Sequence, residues 1–367
     1  MTQRPEIYLD WNATSPLCEE VRAAQQSVLT EAWGNPSSVH ASGRRARQRV
    51  DETREAVAGL LGVSPRDLLF TSGGTEANNL ALWDAASLAT SRLEHPSVVR
   101  VAEALAARGG KVMWLSVPPS GRLDPAAVGE QLVGLPPGTW VSVMAVNHET
   151  GVIQPVRAIA DVVHASGFRL HVDAVQGVGK LPPSHWAGAD RVSIASHKIR
   201  GPKGIGVLAW VPGSAPHPVL LGGAQERGLR PGTVDASLVV GFGVALQRGE
   251  RLRPERGRLA ELRDKIERCV VGFADANGSE AERLGHVANL SFHGWRGDEL
   301  VAALDLEGFC VSSGSACSAG TTELSPVIES MLGRKRAGQA VRISLGELTQ
   351  AEEIDAFIAA LGRILRC

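Results

Sequence analysis

From about residue 15 to about residue 250, short apolar runs alternate with longer amphipathic ones. DLLFTS (67–72), KVMWLS (111–116), WVSVMAVN (140–147), RLHVDA (169–174), RVSIAS (191–196) and GVLAWV (206–211) predict strands. Several end on polar residues, as strands do when their carboxyl ends open on a site. Between them, 46–62 carries a helical stripe of Val50, Ala56, Val57, Leu60 and Leu61 that stops at Gly62, and 155–167 runs from Pro155 to Gly167. This alternation predicts βα units around a mainly parallel sheet. After Pro254 the texture changes to a charged helix (256–273), a strand-like ANLSFHG and a last helix (351–366). The chain therefore reads as α/β, with a large domain over 15–250 and a smaller α/β domain made by 1–14 and 251–367, joined at Arg251–Pro254.

Composition narrows the function. Thirty-eight Lys and Arg against 39 Asp and Glu give no global field to gather nucleic acid or an anionic membrane, so a small-molecule substrate is expected. No run of about 18 apolar residues could cross a bilayer, and MTQRPEIYLDWN lacks a signal-peptide core, which makes the cytoplasm the expected compartment. The five cysteines are widely spaced without any C-x-x-C pair; they predict neither a disulfide framework nor a zinc site, and no metal is expected.

Five local patterns carry chemistry. Lys198, in SHKIRGPKGIG, follows a strand and precedes a Gly/Pro-rich turn; it is either a solvated loop lysine or, where water is excluded, a Schiff-base lysine. Asp173 ends another strand in HVDAVQG, as a helix N-cap or as a carboxylate that keeps a ring nitrogen protonated. TSGGTEANN (71–79) opens a helix behind two glycines, the physics of an anion cradle, without the Lys-Ser/Thr pair of a nucleotide P-loop; GVGKLP (177–182) fails the same test. VSSGSACSAGTTEL (311–324) places Cys317 in a loop of small residues that predicts exposure, whereas Cys310 in EGFCVSS reads as core. Arg342, in the apolar AVRISLGELT, suits a structural salt bridge or the α-carboxylate of an amino acid.

In this order, YLDWNATSP, GNPSSVH, FTSGGTEANN, EHPSV, HVDAVQ, SHKIRGPKGIG, QERGLRPGT, SSGSAC and VRISLG resemble the cysteine desulfurases of the class V aminotransferase fold over nearly the whole chain. The resemblance implies the type I fold of pyridoxal 5'-phosphate (PLP) enzymes and conversion of L-cysteine to L-alanine, with sulfur passing to an enzyme persulfide and then to an acceptor protein. It implies Lys198 as the Schiff-base residue, Asp173 as partner of the pyridine nitrogen, Gln176 as partner of the phenolic oxygen and His95 as the histidine that stacks on the ring and handles protons. It further implies Gly74, Thr75 and His197 at the phosphate, Thr233 reaching the phosphate of the second subunit of a homodimer, Asn147 and Arg342 at the substrate, and Cys317 as the nucleophile. The long loop around Cys317 is of the kind that feeds iron–sulfur scaffolds.

Departures from the family pattern are specific. Asn147-His148-Glu149 stands where Asn-Asn-Glu is usual, so a cofactor contact falls on His148. Ala195-Ser196 precedes His197, which moves a serine's phosphate contact to Ser196. The helix after the cradle, NLALWDAAS (79–87), is expected to be short, and the end at ILRC lacks the tail with which many relatives grip a scaffold. Rival readings are a selenocysteine lyase or another class V lyase or aminotransferase, which would not need Cys317, and a non-catalytic sulfur carrier, which would not need Lys198, Asp173, His95 and Arg342 together.

Overall fold

The computed structural model describes residues 6–253, 257–314 and 324–365. The strands, in chain order, are β1 (Ile7–Tyr8), β2 (Leu68–Thr71), β3 (Ser87–Thr90), β4 (Lys111–Trp114), β5 (Trp140–Met144), β6 (Arg169–Asp173), β7 (Arg191–Ala195), β8 (Gly206–Trp210), β9 (Ala274–Ala276), β10 (Val287–Phe292), β11 (Phe309–Cys310) and β12 (Ala340–Ser344). Seven of them form one sheet in the order β2-β8-β7-β6-β5-β3-β4, in which only β8 runs against the rest. The fold is the mainly parallel α/β architecture that the sequence predicts.

Alternation along each strand explains why these segments are apolar throughout. Leu69, Leu88, Leu208 and Trp210 face a cluster with Ala77, Leu80, Val98, Val101 and Leu105, from the helices Gly74–Leu82 and Pro96–Ala107. Phe70, Ala89, Val143, Val172 and Val207 face the opposite way, onto Val21, Val50, Val57, Ile159, Val163 and Phe242 from helices that include Ala41–Leu61, Val156–Ala165 and Ala236–Leu252. A sheet covered on both faces needs apolar side chains at every position, so its strands are short continuous runs.

β3 departs from the sequence reading, which carried a helix through 79–87. That helix ends at Leu82, and Ser87–Thr90 is a fully buried strand between β4 and β5. SLAT contains one β-branched residue, so local propensity gives no strand signal and burial decides. The expected linker is also corrected, because the helix Ala236–Leu252 runs through Arg251 and Leu252.

A second layer is built from β12-β10-β9, antiparallel, with Asn289 opposite Arg342. Its apolar face packs Leu290, Phe292 and Ile343 onto Leu262, Ile266, Leu304, Ile354, Phe357 and Leu9. The chain's first strand joins this layer: β1 pairs in parallel with β11, and Asp10 bridges Ser344. From there the chain crosses back to the large sheet, where Ser15 N–H donates to the His197 carbonyl at 3.1 Å.

This crossing leaves no room at Gly346, where a Cβ would overlap the indole ring of Trp11. Gly346→Ala is expected to destabilise by about 1–3 kcal/mol through overpacking. Gly59→Ala, in the helix Ala41–Leu61 with no atom near the new methyl group, is expected to stabilise by about 0.5–1 kcal/mol. Urea unfolding of the two variants beside the parent checks the pair; equal shifts would mean that the Trp11 contact does not constrain the fold.

Candidate active site

The strand order reverses between β3 and β5, and the loops leaving β2, β3, β5, β6 and β7 at their carboxyl ends enclose a cavity of about 260 Å³. This is where an open α/β sheet places a ligand. The loop after β2 supplies Gly74 and Thr75, that after β3 supplies His95, and that after β5 supplies His148. Asp173 is the last residue of β6, with Gln176 on the turn that follows, and the loop after β7 gives His197 and Lys198. Arg342 reaches the same cavity from β12 in the other layer.

The cradle is built by glycine. Gly73 precedes the helix Gly74–Leu82 with φ 151°, a conformation that L side chains rarely adopt, and a Cβ on Gly74 would lie 2.8 Å from Val175 Cγ2. The first amides of the helix thus lie against the cavity without a side chain over them, and the helix dipole adds positive potential there.

Two cations, the half-buried Lys198 and the buried Arg342, shape the rest. Lys198 Nζ donates to the carbonyls of Asn12 at 2.6 Å and Ala13 at 2.7 Å, both on the crossing segment. Arg342 donates from Nη1 to the His148 carbonyl at 3.1 Å and from Nη2 to Asp10 at 2.7 Å, while its buried Nε has no acceptor among the described residues. Gln176 is fixed at both ends: Nε2 donates to the Asn12 carbonyl at 3.1 Å, and Oε1 accepts from the buried Lys180 at 2.9 Å.

Imidazoles here are held neutral. Burial, helped by His95, Arg342 and Lys198, holds His148 well below the usual histidine range, and its buried Nδ1 has no partner among the described residues. His95 packs edge-on against His148, with ring centroids 5.5 Å apart, and burial lowers it too, against the pull of Asp173 and with the push of Lys198. His197, bonded to Thr14 Oγ1 at 3.1 Å, is pushed down to about 4 by burial and by Lys198, Lys203, Lys180 and His95.

Two expected site residues, Asn147 and Ser196, do not line this cavity. Asn147 is turned inward: its amide donates to the Leu93 carbonyl at 3.0 Å and accepts from the Glu149 and Thr150 amides, so its side chain holds the turn. Ser196 is fully buried and its Oγ has no partner among the described residues, but it does not line the cavity. Thr233 is exposed. Cys317 lies outside the described residues.

Sequence reasoning missed Asn78 and Ser97. Asn78 is one helical turn beyond Gly74 and shares its face, a spacing that could have marked it. It donates to Asp173 Oδ2 at 2.7 Å and to Ser97 Oγ at 2.9 Å, and Ser97 Oγ lies 2.8 Å from His95 Nδ1. Asn12 and Ala13 also line the cavity, inside the YLDWNATSP run.

Comparison with known proteins bears on this constellation. The sequence profile described as Aminotransferase class-V matches residues 7–357. A cysteine desulfurase from Bradyrhizobium diazoefficiens is 38% identical, covering 99% of this chain and 95% of its own length. Cysteine desulfurase IscS from Dictyoglomus turgidum is 35% identical, covering 98% of this chain and 94% of its own. Among solved structures, a NifS-like protein superposes with a TM-score of 0.90 at 31% identity, covering 98% of this chain and 99% of that one.

Neutral buried imidazoles make an acid-sensitive fold. His171, on β6, is bonded to Ser142 Oγ at 2.9 Å and Ser193 Oγ at 3.0 Å, and burial together with Arg191 pushes it down to about 3. The unfolded chain protonates such a group near pH 6.5, so the stability it contributes is complete above that pH and is lost as pH falls toward 3. Each such group steepens the loss by about 1.4 kcal/mol per pH unit within that window. Urea midpoints between pH 7 and pH 5 should therefore fall less steeply in His171→Gln than in the parent; parallel slopes would contradict the assignment.

Proposed function

The chain belongs to the class V aminotransferase family, and we propose that it is a PLP-dependent cysteine desulfurase, converting L-cysteine to L-alanine and carrying the sulfur as a persulfide on Cys317 to an acceptor protein. The observation that carries this reading is the convergence of Lys198, Asp173, His95 and Arg342 on one cavity whose floor is a bare helix N-terminus.

The residues present fit the cofactor. The amides at Gly74 and Thr75, with His197, form the seat for its phosphate, and the orphaned hydroxyl of Ser196 lies buried beside His197. Asp173 stands as the partner of the ring nitrogen, Gln176 with its fixed amide as the partner of the phenolic oxygen, and His148, with its unmet Nδ1, as a further hydrogen-bonding group toward the ring. When bound, PLP supplies the electron sink that makes the α-hydrogen of an amino acid removable.

The protein's own groups do the rest. Lys198 leaves the Asn12 and Ala13 carbonyls to hold the cofactor and, once released by substrate, takes the α-proton at Nζ. Arg342 binds the substrate carboxylate, with the buried Nε as the donor that no protein oxygen has claimed among the described residues. The Cys317 thiolate attacks the substrate sulfur: the S–S bond forms, the carbon–sulfur bond breaks, and its electron pair stays on carbon, which is protonated to give alanine. Both described flanks of residues 315–323 adjoin the cavity wall. Ser312 and Arg342 exchange backbone hydrogen bonds at 3.1 and 2.6 Å, and Ser325 Oγ donates to Glu149, next to His148, at 2.6 Å.

The working form is a homodimer in this reading. Thr233 is exposed on its own chain, and so are Trp33, Val39 and Leu221, which suits an interface that carries Thr233 to a neighbour's phosphate. Residues 15–250 are the PLP-binding domain, and 1–14 with 251–367 the domain that carries the cysteine. A reducing cytoplasm suits the free Cys18, Cys269 and Cys310. The acceptor is an iron–sulfur scaffold, on the length of the loop around Cys317.

One experiment separates this reading from generic PLP chemistry. Cys317→Ala should still change its visible spectrum on addition of L-cysteine and should lose sulfide release by at least about a hundredfold. Release of sulfide and alanine at the parental rate would sink the desulfurase reading. Sedimentation is expected to give a dimer at micromolar concentration; a fully active monomer would remove Thr233 from the site.

A further inference from the structure

The hydrogen bonds around His95 permit its imidazole one protonation state. The backbone N–H of Ser97 donates to His95 Nδ1 at 3.2 Å, so that nitrogen is an acceptor and carries no hydrogen. The direction of the remaining bonds follows from Asp173. A carboxylate only accepts, so the amide group of Asn78 facing it at 2.7 Å must be the NH₂, and its second hydrogen goes to Ser97 Oγ at 2.9 Å. With that lone pair of Ser97 engaged, its hydroxyl hydrogen is directed at His95 Nδ1, 2.8 Å away. Flipping Asn78 would set its oxygen against the carboxylate.

We propose that Asn78 and Ser97 are positioning residues that lock His95 as the neutral tautomer with its hydrogen on Nε2, so that His95 serves the reaction as a hydrogen-bond donor to an anionic atom of the substrate and not as a base. The proposal rests on the desulfurase reading for the identity of the substrate, and on geometry alone for the tautomer. A base at this position would need a free lone pair on Nε2, which the locked tautomer does not offer, and protonation at Nδ1 would set two hydrogens face to face. Removal of the α-proton then falls to Lys198.

Groups near His95 include Ser97 at Nδ1, Asp173 and Lys198, the edge of the His148 ring, and the neighbouring Glu94. Glu94 is buried, and its carboxyl is pushed well above the usual range by burial and by Asp173.

Nuclear magnetic resonance of the ¹⁵N-histidine-labelled holoenzyme tests this, with His95 assigned by loss of its signals in His95→Gln. The expected result is an unprotonated Nδ1 and a protonated Nε2 that do not titrate between pH 6 and pH 8.5. A hydrogen on Nδ1, or an imidazolium titrating in that range, would overturn the proposal. Ser97→Ala keeps the backbone N–H and so should keep the tautomer, but it should shift the Nδ1 resonance toward that of a nitrogen accepting one hydrogen bond and lower kcat for L-cysteine roughly threefold to tenfold, the effect of one hydrogen bond, while Ser97→Thr, which keeps the hydroxyl, restores both. An unchanged Nδ1 resonance and kcat in Ser97→Ala would remove the Ser97 hydroxyl from the lock. Should the tautomer hold in an enzyme that fails to release sulfide, the lock stands and the desulfurase reading falls; should sulfide be released with His95 in the other tautomer, the reverse applies.

Discussion

A lysine ammonium taken out of water must be met by oxygen, and most of this structure follows from how Lys198 is met. The two carbonyls that receive it belong to Asn12 and Ala13, more than 180 residues away in the chain. To put them there, the N-terminal segment pairs with Phe309–Cys310, bridges Ser344 of the small sheet, and is tied to the large sheet by Ser15. The same segment accepts from Gln176, and through the Asn12 side chain it touches the His148 carbonyl and His286. Losing one of these contacts would loosen Lys198, Gln176 and the His148 turn together, because all three lean on Asn12.

Charge in the cavity is kept scarce. Lys198 and Arg342 are answered by backbone carbonyls and Asp10, and Asp173 is answered by Asn78 and the Val175 amide. The imidazoles are driven neutral, and Glu94 and Glu149 are pushed up by burial. Few mobile protons remain, so each transfer falls to a named atom. A low local dielectric strengthens what charge there is and penalises any that is left unpaired.

Local sequence revealed the parts whose meaning is local. Asp173 and Lys198 end or follow strands, and Gly73-Gly74 opens a helix, so polarity breaking an apolar run marked all three. Asn78 and Ser97 stayed hidden because each looks like an ordinary helix residue until the fold sets Asn78 against a carboxylate 95 positions away. Asn147 misled for the opposite reason: it follows a strand like the true lining residues, yet its amide is consumed by its own turn. β3 was illegible because Ser, Leu and Ala carry no strand preference, and only its place between β4 and β5 requires an extended chain there.

Arg342 joins the two layers in a way that neither motif nor sheet predicts alone. Its backbone pairs with Ser312, where the chain enters 315–323, and its guanidinium holds the His148 carbonyl. Glu149, the next residue, receives Ser325, where the chain leaves that segment. Entry and exit are thus fixed to Arg342, which lines the cavity, and to Glu149, the neighbour of the lining residue His148, so a shift of Arg342 would also move the point where the chain enters 315–323. In the proposed function, recognition of the carboxylate by Arg342 and the anchorage of both described flanks of 315–323 would share one mechanical support.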